Sequence, residues 1–290
     1  MEIVIVDDGS SDNTRKVIEQ VTDERIRLIT VKNGGAAAAR NIAYKNSGGA
    51  YIIFFDADDH VNEHFVSSQY ESMQGGTDIV VLSAWGRFYQ DDLGTFVKEE
   101  VPQGEITFEA WINTYWYHCN PMTTPGRVII PRPIIAAAGL WNTDLSLNDD
   151  MEFYTRIFLK AAKIRFNNNA VLYYRSGIEG LSSKKCGKEF QSLFNSIELS
   201  TGFVLNCYRD DQQIRRSCAN MYQYVLYEVY PDDKPLQRAA KARIRDLGGS
   251  TYPYPAAGLT KFLLSVIGWK LAKRLKIKLK QLFTSRHADS

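Results

Sequence analysis

Short apolar runs separated by acidic or glycine-bearing turns dominate the first third of the chain. Residues 2–6 (EIVIV), 26–31, 51–55 (YIIFF) and 78–84 (DIVVLSA) are such runs. Continuous apolar runs of this length read as strands buried on both faces. Segments with helical spacing lie between them. Residues 12–21 put Val17, Ile18 and Val21 on one face, residues 36–46 are rich in Ala, and residues 63–73 follow. Ala is the strongest helix former, and Gly34-Gly35 and Gly48-Gly49 bracket the Ala-rich segment. Strand–helix alternation of this kind predicts an α/β fold with a mainly parallel sheet and helices on both faces.

The pattern loosens over residues 85–125, where aromatics accumulate, among them Trp111, Tyr115, Trp116 and Tyr117. These read either as core or as the lining of a ligand groove. A short strand is predicted at 127–130, a helix at 148–159 with Asp149, Asp150 and Glu152 near its start, and one or two strands at 164–174. Residues 189–208 and 211–229 read as helices. A Pro- and Gly-bearing linker at 248–258 leads to a stripe of Leu264, Ile267, Leu271, Leu275, Leu279 and Leu282, spaced by three and four. The expected division is 1–185 for the α/β domain, 186–247 for a helical extension, and 248–290 for linker and terminal helix.

Composition narrows the function classes. The chain has 290 residues, 44% hydrophobic and 23% charged, which excludes a disordered or polytopic membrane protein. Net charge is +2, yet residues 247–288 contain no Asp or Glu and eight Lys or Arg. An uncharged run there falls far short of the ~20 residues that span a bilayer. A basic amphipathic helix in the membrane interface fits the segment, ahead of a docked terminal helix or a nucleic-acid contact. No signal peptide is expected. The four cysteines are widely spaced and read as buried free thiols of a reducing cytosol, not as a zinc or disulfide framework.

Two acidic clusters carry candidate chemistry. Asp7-Asp8-Gly9-Ser10 follows the first strand, where a carboxylate reaches a nucleobase or ribose, or else turns and caps a helix. Asp56-Ala57-Asp58-Asp59 follows the third. Acids so closely spaced repel, and Mg²⁺ or Mn²⁺, which favours oxygen ligands, relieves that repulsion; the alternative is a helix cap. Both clusters are expected at equivalent ends of strands in one sheet. Arg40 lies between them and reads as an offset to their charge, a base contact or a solvated helix residue. His60 and His118 lack metal-ligand spacing.

Residues 3–14 (IVIVDDGSSDNT), 33–59 (NGGAAAARNIAYKNSGGAYIIFFDADD) and 139–157 (GLWNTDLSLNDDMEFYTRI) together resemble family 2 glycosyltransferases over roughly residues 1–185. The resemblance implies a GT-A fold, a mixed α/β sheet that binds a nucleotide-sugar. It implies that Asp8 contacts the donor base with Asp7 supporting the turn, that Arg40 lines the base pocket, and that Asp56 and Asp58 form a DxD element. Asp56 would serve the ribose or a metal-bound water, and Asp58 the metal. Asp150 takes the position of the catalytic base in a segment usually written ED-x-E-F and here DD-M-E-F. Arg175, in Tyr173-Tyr174-Arg175 followed by Ser182-Ser183, is a candidate diphosphate clamp or part of a surface loop.

The implied activity is inverting transfer from a nucleotide-sugar, a UDP-sugar, to a glycan or lipid-linked acceptor, at the inner face of the cell membrane. An inactive fragment acting as a membrane-associated binding module is the competing reading, and nucleotidyl transfer a third. Family members begin with a further strand and helix, a unit of roughly 30 residues. Either the natural protein is longer or the sheet is open at this edge, which invites dimerisation.

Overall fold

The computed structural model describes residues 1–121, 123–177, 187–256 and 258–288. The α/β part runs β1 (Ile3–Asp7), α1 (Thr14–Glu19), β2 (Ile26–Thr30), α2 (Ala36–Lys45), β3 (Tyr51–Ile52), β4 (His60–Val61), α3 (Phe65–Met73), β5 (Ile79–Tyr89), β6 (Asp92–Lys98) and β7 (Glu105–Ile106). It continues with α4 (Phe108–Trp111), a π-helical turn (Ile112–Trp116), β8 (Val128–Pro131), α5 (Arg132–Ala138), α6 (Asp149–Lys160) and β9 (Lys163–Ser176). Four helices follow: α7 (Gly187–Cys207), α8 (Gln212–Val229), α9 (Lys234–Asp246) and α10 (Gly258–Ala288).

Strand β5 organises the main sheet, ordered β3-β8-β5-β9-β4, with β6 added to β5 and β7 to β9. Its side chains alternate as a pleated strand requires. Val80 and Leu82 join Val128 and Ile130 in the large core against α5–α8, whereas Ile79 and Val81 join Ile129 and Met73 of α3 on the opposite face. Burial on both sides explains the uninterrupted apolar run read from sequence. The sheet is mixed: β1–β2 and β5–β9 are parallel, the shorter ladders antiparallel.

Several expectations need correction. Strand β1 pairs only with β2, in a two-stranded sheet separate from the one holding β3; the two acidic loops therefore do not leave strands of one hydrogen-bonded sheet. The YIIFF run is a strand only over Tyr51–Ile52, and Phe55 is 45% exposed. Its backbone leaves the β8 ladder to enter the acidic loop. Strand β5 runs on to Tyr89 and turns back into β6 through Gln90 and Asp91, both with left-handed φ. Trp111 and Trp116 are buried core side chains, so they line no groove.

Helix α7 packs into the same core as the sheet: Phe190, Leu193 and Ile197 lie in one cluster with Val80, Phe153 and Ile157. Helix α10 is bent at Gly268 (φ 70°, ψ 161°). Beyond the bend Trp269 packs edge-on against Tyr227 and Tyr230, and Lys273 Nζ donates to the carbonyls of Tyr227 and Glu228. Cys218 is buried, as expected of a free thiol, but Cys207 is exposed. Cys186, Ser182 and Ser183 lie outside the described residues, as does the expected boundary at 185.

Candidate functional site

The turn after β1 is built by its own side chains. Asp7, buried, accepts a hydrogen bond from the Ser10 amide at 2.9 Å, and its bonds to Ser10 hold its carboxyl below the usual range. Gly9 sits at φ 81°, and a Cβ there would come 3.1 Å from the Asn33 nitrogen, so the turn requires glycine. Asp8 reaches across to the second loop: its two carboxylate oxygens accept the amides of Gly34 and Gly35, each at 2.8 Å. Asp8, Gly9, Ser10, Ser11, Asp12 and Asn33 line an open cleft of about 340 Å³.

Those two glycines lead directly into α2, which carries Arg40 and Asn41. Asn41 is buried and exchanges two hydrogen bonds with the backbone of Trp141, both at 2.9 Å. Arg40 lies over the Trp141 ring, 4.4 Å from its centroid. Its Nη2 donates to Asp56 at 2.7 Å and its Nη1 to Asp149 at 3.0 Å. One guanidinium thus ties the acidic loop after β3 to the start of α6. From sequence Arg40 reads as an offset to the acidic charge, a base contact or a solvated helix residue; its partner Asp149 is 109 positions away, and no local pattern signals that contact. Trp141, stacked on Phe153 of α6 at 4.1 Å, was not singled out from sequence at all.

In the acidic loop the three aspartates differ. Asp56 is held by Arg40. Asp58 is exposed, and its carbonyl accepts from Arg175 Nε at 2.7 Å. Asp59 is buried: one oxygen accepts the Arg175 amide at 2.9 Å, the other has no partner among the described residues, and burial raises its pKa to about 7, with Asp58 and Asp56 adding to the effect. Arg175 also pairs with Asp91, approaches His60 Nε2 at 3.2 Å and lies over Phe88. It therefore stands beside Asp58 with its guanidinium already engaged.

Asp149 and Asp150 open α6 in the first turn, where the helix dipole favours negative charge. Burial nevertheless raises the pKa of both; at Asp149 the neighbouring Asp150 charge raises it further, while Arg40 pulls both down. A carboxylate raised in this way takes up a proton at a higher pH than a free one does.

Among the described residues no group of three His, Cys, Asp or Glu side chains forms a cage for a metal. The donor set fits a different kind of site. The exposed Asp58 carboxylate and the nearby Asp56, both hard oxygen donors, match Mg²⁺ or Mn²⁺ held by one or two carboxylates and completed by substrate phosphates. The orphaned oxygen of Asp59 leaves uncompensated polarity at the same loop.

A model of the family described as Glycosyl transferase family 2 matches residues 1–131. The chain is 32% identical over 192 residues to the Escherichia coli UDP-Glc:alpha-D-GlcNAc-diphosphoundecaprenol beta-1,3-glucosyltransferase WfaP, a match covering 64% of this chain and 69% of that protein. The chain belongs to glycosyl transferase family 2. It is also 29% identical to glycosyltransferase GlyG of Streptococcus pneumoniae over 60% of its length, spanning 61% of that relative. The crystal structure of Staphylococcus aureus TarS 1–349 in complex with UDP-GlcNAc superposes with a TM-score of 0.51 at 18% identity, covering 85% of this chain and 80% of that one. That likeness establishes the shared GT-A fold of this family 2 protein.

Proposed function

We propose that the chain transfers a hexose unit from a UDP-sugar to a hydroxyl of a lipid-linked or polymeric glycan, with inversion at the anomeric carbon. The observation that carries this reading is the Arg40 bridge, because it joins the DxD loop to the helix bearing Asp150. The relative WfaP, a UDP-Glc:alpha-D-GlcNAc-diphosphoundecaprenol beta-1,3-glucosyltransferase, supports the donor and acceptor classes. The structures of TarS in complex with UDP-GlcNAc and of GalNAc-T7 with UDP, GalNAc and Mn²⁺ support the nucleotide and the metal.

Asp150 removes the proton of the acceptor hydroxyl as that oxygen attacks C1 of the donor sugar. The C1–O bond to the diphosphate breaks, and UDP departs with the bonding pair. A single displacement needs no Ser or Cys nucleophile. Asp149, paired with Arg40, orients the turn that carries the base. Asp8 lines the nucleotide cleft and Asp7 holds its turn, and Arg175, beside Asp58, is the candidate contact for the diphosphate. Asp58 and Asp56 would hold a divalent cation, whose chemistry would be to neutralise charge on the leaving diphosphate.

The same reading places the protein peripherally at the inner face of the cell membrane. Among the described residues no helix is long and apolar enough to cross a bilayer. Past its bend α10 exposes Leu271, Leu275 and Leu279 beside Lys270, Arg274, Lys276 and Lys278, an arrangement suited to an anionic bilayer surface.

Calorimetric titration with UDP and Mn²⁺, followed by a UDP-release assay over a panel of UDP-sugars with lipid-linked acceptors, tests the proposal. Binding with acceptor-dependent UDP release is expected. Failure to bind UDP in Mn²⁺ overturns it and favours an inactive binding module.

A further inference from the structure

Helix α7 presents serines at 192, 196 and 200, one turn apart and all buried, toward an otherwise apolar interior. The three are used differently. Ser200 Oγ has no partner among the described residues, so its small size alone accounts for it there. Ser192 Oγ accepts the amides of Ser146 and Leu147 at 2.9 and 3.0 Å and donates to the Leu147 carbonyl at 3.0 Å. Ser196 Oγ donates to the Asn148 carbonyl and receives the Asn148 side-chain amide at 3.2 Å. All four contacts with backbone fall on three successive residues, and the next two residues are Asp149 and Asp150.

Asn148 is the cap of α6, with a left-handed φ of 65° and no side-chain bond to the helix amides. Its Nδ2 is shared instead between Met151 Sδ of α6, at 3.3 Å, and Ser196 Oγ. Within the first turn the Asp149 and Asp150 carboxylates accept the amides of Asp150 and Met151, and from outside the turn is held by Arg40 on Asp149 and by the α7 serines on residues 146–148. Asn is among the few residues that adopt this conformation readily, so the turn is favoured locally and its direction is set by the two hydroxyls. Helix α7 is in turn braced by its neighbours: Thr201 Oγ1 lies 2.7 Å from the Tyr222 hydroxyl of α8, and Glu198 pairs with Arg243 of α9.

We infer that Ser192 and Ser196 are positioning residues for Asp150, and that the helices after β9 belong to the catalytic apparatus. The inference deepens, and rests on, the proposal that Asp150 is the base. Displacement of a reacting group by about 1 Å can cost on the order of 100-fold in rate. Removing these hydroxyls frees the 146–148 turn while leaving the nucleotide cleft, the DxD loop and Arg40 intact.

The test compares Ser192→Ala, Ser196→Ala, the double variant, Ser200→Ala and Asp150→Asn. It measures kcat, donor KM, UDP affinity in Mn²⁺ and melting temperature. Each single serine variant should lose about tenfold in kcat, and the double variant more, with donor KM and UDP affinity unchanged. Ser200→Ala should match the wild type. Full kcat in both single variants overturns the inference, and so does a parallel loss of kcat, UDP affinity and thermal stability, which marks a general packing role. The single variants keep the test valid should the double variant not fold. Asp150→Asn separates the two ideas: full turnover there removes both the base and the positioning role of the serines, whereas an inactive Asp150→Asn beside fully active serine variants removes the positioning role alone.

Discussion

Arg40 holds Asp56 at 2.7 Å with one nitrogen of its guanidinium while the other nitrogen is 3.0 Å from Asp149. The fork geometry matters, since a planar guanidinium serves two carboxylates at once and an ammonium is a point charge. Both acids are largely withdrawn from solvent and close enough to repel, so the arginine also makes their proximity tolerable.

Arg40→Lys should keep the charge and lose the bridge. Leaving one carboxylate without its charged hydrogen bond costs about 1–3 kcal/mol when buried, and less here because Asp56 keeps 32% side-chain exposure. Urea denaturation should show a loss at the lower end of that range, together with a fall in kcat/KM. Wild-type stability and activity in Arg40→Lys would show that the bridge is dispensable.

Asp150→Asn should lower kcat by ~10²–10⁴-fold, the usual range for a deleted general base. UDP affinity in Mn²⁺, measured by calorimetry, should not change.

The pH–rate profile should carry the same assignment. The folded pKa values of Asp149 and Asp150 are raised by burial, so the base stays protonated to a higher pH than a free carboxylate does. Activity should therefore rise with pH along a limb displaced above the ordinary carboxylate range. Arg40 lowers both values, so Arg40→Gln should move that limb further upward in pH. For stability the sign is opposite: a raised folded pKa means the native state holds its protons longer, so the pair's contribution declines as pH climbs from the unfolded value through the folded one. Thermal melts of wild type and Asp149→Asn across that interval measure the decline, which the Asn variant should show less steeply.

Replacing Lys270, Arg274 and Lys278 by Gln should weaken binding to anionic liposomes by roughly 100-fold, at about 1 kcal/mol for each basic residue near such a surface. Flotation of wild type should weaken with added salt, and neutral vesicles should recover little of either protein. Undiminished flotation of the triple variant would remove α10 from the membrane.

What sequence could convey followed from locality. The apolar run of β5 and the Ala-rich α2 were plain because burial and helix propensity act within a few residues. The first turn of α6 was legible through its acids, which complement the helix dipole. The β5–β6 hairpin was not, because its tip uses Gln90-Asp91 in place of an Asn-Gly signal. Residues 51–55 read as one strand, since hydrophobicity does not reveal where a ladder runs out of partners. At the site, the resemblance supplied candidate acids one at a time. Their mutual ties, such as Arg40 with Asp149 or Ser196 with Asn148, span 109 and 48 positions and arise only when the chain closes.

Asp8 gives a final consequence for anyone interpreting variants. Its carboxylate already bridges two loops through the amides of Gly34 and Gly35, so the cleft proposed for the donor is braced by the protein's own bonds. Deleting that side chain does two things at once: it strips a wall from the cleft and unfastens the loop that feeds Arg40. A drop in nucleotide affinity at this position accordingly reports architecture as much as contact.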